Sequence, residues 1–173
     1  MKSWYMLSIV GKDQPGIVAQ VSGELLRAGA NLGEASMTRL GGSFAIMLMV
    51  EYDGAMAPLN DLLAPVMQRL NLHLHIDAIE AGLHHPLEPD VCITVFGADR
   101  TGIVAQVTAL LAEAGLNVSS LETAVGGTTV HPIYIMTIEG QARQGITVLY
   151  TAAQRLNSQG IEVTVTPLDA LMG

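Results

Sequence analysis

Positive charge is what this chain has least of. Lysine and arginine number 8 in 173 residues against 16 aspartates and glutamates, a net charge of −8 with histidine neutral. That balance removes the phosphate-neutralising attraction that dominates nucleic-acid affinity, so direct nucleic-acid binding is not expected. Aromatic residues make up 4% of the chain, and neither a helix-turn-helix pattern, a zinc-finger spacing nor an RNP-like aromatic motif is present. The single Cys92 excludes an internal disulfide and fits a reducing compartment. No apolar run reaches the roughly 18 residues of a membrane span. Met1 to Val10 lacks the basic start and cleavage site of a signal peptide. A cytoplasmic protein with no membrane partner is therefore expected.

Catalytic inventory is missing too. There is no Gly-x-Ser-x-Gly, no Walker-type phosphate loop, no His-Glu-x-x-His and no cysteine with a partner at metal-ligand spacing. Gly11 and Gly16 lack the Lys-Ser/Thr that would make a phosphate loop and the glycine spacing of a dinucleotide fingerprint. The histidines are His73 and His75 on one strand face, His84 and His85 in a Pro-containing stretch, and His131. No cysteine or carboxylate pattern completes a metal site around them, and polar residues on an edge strand explain His73 and His75. No enzyme activity, cofactor or metal is expected.

What is abundant is apolar surface and repetition. Half the residues are hydrophobic, 14% are charged and the mean hydropathy is +0.41. Gly11 to Leu32 recurs as Gly97 to Val118 at a constant offset of 86, with 12 of 22 aligned positions identical and no gap. The identities include Gly11/Gly97, Asp13/Asp99, Gly16/Gly102, Ile17/Ile103 and Asn31/Asn117. A period this long indicates two copies of one small domain rather than a solenoid. The expected division is residues 1–81, a linker at 82–90 marked by Gly82, Pro86 and Pro89, and residues 91–173. A domain of roughly 80 residues buries only about 60 to 65% of its unfolded surface, so an interface between domains or in a homodimer is expected.

Each half reads as βαββαβ. Trp4 to Val10 is apolar on both faces, as a central strand requires. Asp13 is a plausible helix cap, Pro15 suits a first helical turn, and Ile17, Val18, Val21, Leu25 and Ala28 form one helical face that Gly29 can end. Gly33 to Leu40 has mixed polarity, Gly41-Gly42 signals a hairpin, and Ser43 to Tyr52 is again apolar on both faces. Leu59, Leu62, Leu63, Val66, Met67 and Leu70 follow helical spacing, and Leu72 to Glu80 alternates with one wet face. Met47, Met49 and Met67 are expected as core filler.

The second half repeats this. A strand is expected at Asp90 to Phe96, a helix from about Arg100 to Ala114 and a strand at Asn117 to Val125. A turn at Gly126-Gly127, a strand at Thr129 to Glu139, a helix from about Ala142 to Gln159 and a strand at Ile161 to Pro167 complete it. Polar second and fourth strands beside apolar first and third ones match a ferredoxin-like sheet in the order 4-1-3-2. The fold class is thus α+β, two tandem ferredoxin-like domains with antiparallel sheets and helices on one face. The Asp-x-x-Gly loops leave two readings open. Gly16 and Gly102 either let a ligand approach the backbone at a helix start that attracts anions, or permit tight helix-to-sheet packing.

The segments Asp13-Gln-Pro-Gly-Ile-Val18 and Asp99-Arg-Thr-Gly-Ile-Val104, each between the first strand and first helix of such a unit, resemble the ACT domain. The resemblance spans nearly the whole chain as two copies, and among tandem ACT proteins it is most similar to the glycine cleavage system transcriptional repressor family. It implies a regulatory protein that binds a small molecule, an amino acid, and acts through a protein partner. An ACT-type interaction module with empty pockets, or a detached regulatory domain of an amino-acid-metabolism enzyme, is the alternative. By position the resemblance implies ligand contacts at Gly11, Asp13, Gly16, Ile17 and Asn31, and at Gly97, Asp99, Gly102, Ile103 and Asn117. It places the ligand where two domains meet. Asp13 and Asp99 stand where some amino-acid-binding members have Asn, and a carboxylate there repels the ligand's carboxylate while attracting its ammonium group. Thr101 replaces the usual Pro of the loop.

Overall fold

The computed structural model describes residues 2–80, 88–98, 101–128 and 132–168. The expected linker falls mostly outside them, as do Asp99, His84, His85 and His131. The chain divides into two compact units, residues 1–84 and 85–173.

The first unit runs β1 (Ser3–Lys12), α1 (Ile17–Arg27), β2 (Asn31–Leu40), β3 (Ser43–Tyr52), α2 (Met56–Leu70) and β4 (Leu72–Ile79). The second runs β5 (Val91–Ala98), α3 (Ile103–Glu113), β6 (Leu116–Gly127), β7 (Pro132–Ala142), α4 (Ile146–Ser158) and β8 (Glu162–Pro167). The two antiparallel sheets have the orders β2-β3-β1-β4 and β6-β7-β5-β8, the arrangement the strand polarities predicted.

Alternation along each central strand decides which face the helices cover. Tyr5, Leu7 and Ile9 of β1 lie in register with Val50, Leu48 and Ile46 of β3, and all six are buried with Ile17, Val21 and Leu25 of α1 and Leu59, Leu63 and Val66 of α2. Val91, Ile93, Val95, Met136 and Ile138 do the same under α3 and α4. Each such side chain removed from water contributes about 1.5 to 3 kcal/mol. Among the described residues no polar or charged side chain is buried. On the opposite face of the first sheet Trp4, Met6 and Ser8 are half-buried and Val10 is exposed. Met47, expected in the core, is 53% exposed because its register with Ser8 turns it to that face, while Met67 is buried as expected. All ten residues of the edge strand β2 are exposed.

Three local expectations are corrected. Asp13 does not cap α1; Gly16 is the cap residue, at φ 83, and no side chain caps the helix. Pro15 consequently lies in a turn ahead of the helix instead of in its first turn. The pair Gly126-Gly127 is not the second hairpin's turn, because both residues continue β6, opposite Ile133 and Pro132. Gly11 and Phe44 are cross-strand partners 33 residues apart, whereas Gly97 and Tyr134 are 37 apart, so the second hairpin is four residues longer and the glycines fall within its strand. At the other end of α1, Gly29 adopts φ 71, and Ala30 N–H bonds the Leu25 carbonyl at 3.0 Å, the helix stop the sequence predicted.

Candidate functional site

The β1–α1 loop of the first unit is held from two sides. Asp13 N–H donates to the Gly42 carbonyl at 2.9 Å, which ties the loop to the β2–β3 hairpin. Its carboxylate pairs with Arg39, whose side chain is 68% exposed against 22% for Asp13. On the other side Gln14 Nε2 donates to the carbonyl of Leu70, the last residue of α2, at 2.6 Å. These anchors fix where Gly16 turns the chain into α1.

Gly16 needs its positive φ, which costs an L-residue roughly 1 to 2 kcal/mol. Packing does not explain it: a Cβ built there would find only the Gln20 side chain, at 3.6 Å, and one at Gly102 would find nothing within 4 Å. The helix-to-sheet packing reading of these glycines is therefore set aside. Because Gly16 has no side chain, α1 starts uncapped. Its first intrahelical bond runs from Gln20 N–H to the Gly16 carbonyl at 3.0 Å, so the N–H groups of Ile17, Val18 and Ala19 have no acceptor within the helix.

Over this helix start lies an open cleft of about 430 Å³, walled by the loop 13–16, the first turn of α1, and Met37, Arg39 and Phe44. That volume is in the range of small-ligand sites. Its two charged side chains, Arg39 and Asp13, are of opposite sign and pair with each other. The helix N-terminus and the Arg39 guanidinium attract a carboxylate, and the Asp13 carboxylate attracts an ammonium.

Of the residues expected at the first site, Asp13, Gly16 and Ile17 wall this cleft. Gly11 does not; its missing side chain makes room for Leu72, whose Cδ2 would lie 2.6 Å from a Cβ there. Asn31 does not either. It pairs with Glu51, on the register of the sheet face away from the helices, whereas Gly11 pairs with Phe44. Seven residues of strand separate those rows, about 23 Å. Within one unit, Asn31 and the loop do not meet.

Arg39 was missed. It sits 26 residues after Asp13, on the strand whose mixed polarity marked it only as an edge, and the hairpin brings it back to the loop. The repeat carries a usable signal in hindsight: at the offset of 86, Arg39 becomes Val125 while Asp13 is kept as Asp99. Register confirms the correspondence. Arg39 and Gly11 both pair with Phe44, and Val125 and Gly97 both pair with Tyr134.

The second loop otherwise repeats the backbone device. Gly102 has φ 88, α3 is uncapped, and Gln106 N–H reaches the Gly102 carbonyl at 2.9 Å. Ile103 is buried, and a Cβ at Gly97 would press on its Cδ1 at 2.9 Å. Asn117 pairs with Gln141, as Asn31 pairs with Glu51. The cation is what differs, since Val125 is 62% exposed where the first unit has Arg39. Among the described residues no helix is long and apolar enough to cross a membrane, and no cluster of three His, Cys, Asp or Glu side chains could hold a metal ion.

Comparison with known proteins bears on both units. Models of the ACT domain match residues 5–81 and 93–156. A curated UPF0237 protein of Streptococcus pneumoniae serotype 4 is 42% identical over 48 residues, 28% of this chain; the chain spans only 54% of that relative's length. A crystal structure of an unknown protein from Galdieria sulphuraria aligns over 97% of this chain and 99% of its own, with TM-score 0.76 and 23% identity. A second, named "putative glycine cleavage system transcriptional repressor", aligns over 98% and 99% with TM-score 0.72 and 15% identity. At these identities the two structures speak to the fold.

Proposed function

The chain belongs to the ACT domain family, as two tandem copies, and from that premise we propose that it is a non-enzymatic regulator that senses an amino acid at the first β1–α1 loop and signals to a partner protein. The observation that carries this reading is the cleft itself, where uncapped helix N–H groups lie beside the paired side chains of Arg39 and Asp13, a cation for a ligand's carboxylate and an anion for its ammonium. The ligand contacts are Asp13, Gly16 and Ile17, with Arg39 added. Gly11 supports the loop from behind, and Asn31 contributes from a second copy of the chain in a homodimer. The corresponding set in the second unit is Gly97, Asp99, Gly102, Ile103 and Asn117, a weaker site because Val125 offers a carboxylate nothing.

Regulation through a partner follows from charge. A net −8 repels a polyanion, so a role like that of the glycine cleavage repressor would be exercised by binding another protein in the cytoplasm. The boundaries 1–81 and 91–173, joined by a linker at 82–90, are kept as part of this reading.

Thermal unfolding of the full chain with and without each of the twenty amino acids tests it. A ligand at 100 times its dissociation constant adds about 2.7 kcal/mol to the folded state, a shift of roughly 10 °C or more for a domain of this size. Twenty unshifted melting curves would favour an interaction module with empty pockets.

A further inference from the structure

Beside the cleft, and sharing Ile17 and Val18 with it, a slot of about 120 Å³ runs between α1 and β2. Val21, Ser22 and Leu25 wall it from the helix, Leu32 and Ala35 from the strand, and Leu48 from below. Its one hydroxyl, on Ser22, is already directed at the Ala19 carbonyl at 3.3 Å. A polar side chain entering the slot would find no partner, and an apolar one would leave nothing unpaired. A dry apolar cavity of comparable size, about 150 Å³, holds a benzene molecule.

Two features of β2 open this gap. The register with β3 slips by one residue between Leu32 and Ala35, a bulge that bends the strand. The strand also sets only the methyl of Ala35 beside Leu48 in the helix-facing row. The second unit has the same slip, between Val118 and Ser120, but different residues. Ala35 pairs with Leu48, which pairs with Leu7; in the corresponding row Leu121 pairs with Ile138, which pairs with Ile93. Leu121 thus stands where the first unit has Ala35. The row that leaves a gap in one unit carries a four-carbon branched side chain in the other.

We propose that the first unit selects an amino acid with an apolar side chain of leucine or methionine size, its charged head in the cleft and its side chain in this slot. The inference rests on the ligand reading above and adds the ligand's class. The two spaces adjoin, because Ile17 and Val18 line both the cleft and the slot. The second unit keeps the uncapped helix start but has Leu121 in the row and Val125 in place of the cation.

Calorimetric titration of the full chain with L-leucine, L-methionine, glycine, L-serine and L-glutamate tests the proposal. Leucine or methionine should bind at least tenfold more tightly than glycine or serine, since a single methylene in an apolar pocket already gives a factor of about ten or more. Ala35→Leu, which copies the second unit, should weaken leucine at least tenfold and leave glycine unchanged. Ser22→Leu should do the same from the helix side, should Ala35→Leu fail to fold. Glycine or serine binding as tightly as leucine, or leucine affinity unmoved by both variants, overturns this inference alone. Silence toward every amino acid overturns the ligand reading beneath it.

Discussion

Replacing Arg39 by Met separates binding from stability. Methionine keeps most of the stem's length and its apolar contacts while removing the guanidinium. The Arg39–Asp13 pair is part-exposed, at 68% and 22% of the side-chain surfaces. Screening by water limits such a pair to about 0 to 1 kcal/mol of stability, and the Asp13 N–H remains anchored on Gly42. The melting temperature should therefore fall by no more than about 4 to 8 °C. Binding is a different matter, because a ligand carboxylate over an uncapped helix start loses a charge-assisted partner worth about 1.5 to 3 kcal/mol. At 1.4 kcal/mol per factor of ten, affinity should weaken by about ten- to one-hundred-fold. Calorimetric titration of wild type and Arg39→Met, with the amino acid that gives the largest thermal shift, reads this directly. Unchanged affinity would refute the electrostatic account of the cleft, and a large loss of stability would show that the pair holds the loop instead.

Gly16→Ala and Gly102→Ala should each destabilise by roughly 1 to 2 kcal/mol through the positive φ alone, with midpoints falling by about 4 to 8 °C per kcal/mol in a domain of this size; unchanged melting would mean that the turn relaxes. Asn31→Ala should weaken binding by about 1 to 3 kcal/mol with little change in stability. Since Asn31 lies far from the loop of its own unit, that loss would implicate a second copy of the chain, while unaltered affinity confines the site to the loop and Arg39. In a gel-shift assay at about 0.15 M salt the purified chain should not retard DNA, and a specific complex would overturn the indirect mode of regulation.

Much of the fold was legible because it rests on local pattern. Strands apolar on both faces mark the sheet centre, so β1 and β3 could be placed beside each other before any contact was known, and His73 and His75 are exposed on the wet face of β4 as their alternation requires. Gly41-Gly42 forms its hairpin with both residues at positive φ. Where reading failed, a non-local partner decided. Asp13 has the composition of a helix cap, but its carboxylate is taken by Arg39 and its N–H by Gly42, both from the distant hairpin. Gly126-Gly127 resembles the first turn, yet the longer second hairpin carries the strand past it. The loop residues of the candidate site were readable from the repeat, because an identical motif survives in both copies. Arg39 and Ala35 were not, because their importance lies in how the copies differ; the offset of 86 pairs them with Val125 and Leu121, and cross-strand register confirms the pairing.

An amide NMR titration of the full chain with L-leucine tests the central claim most directly. The account predicts saturable shifts concentrated at Gly16, Ile17, Val18 and Ala19, extending to Val21 and Ala35, with Gly102, Ile103 and Val104 far less affected. Shifts centred on the Gly102 loop while the Gly16 loop stays silent, or no saturable change with any amino acid, would contradict it.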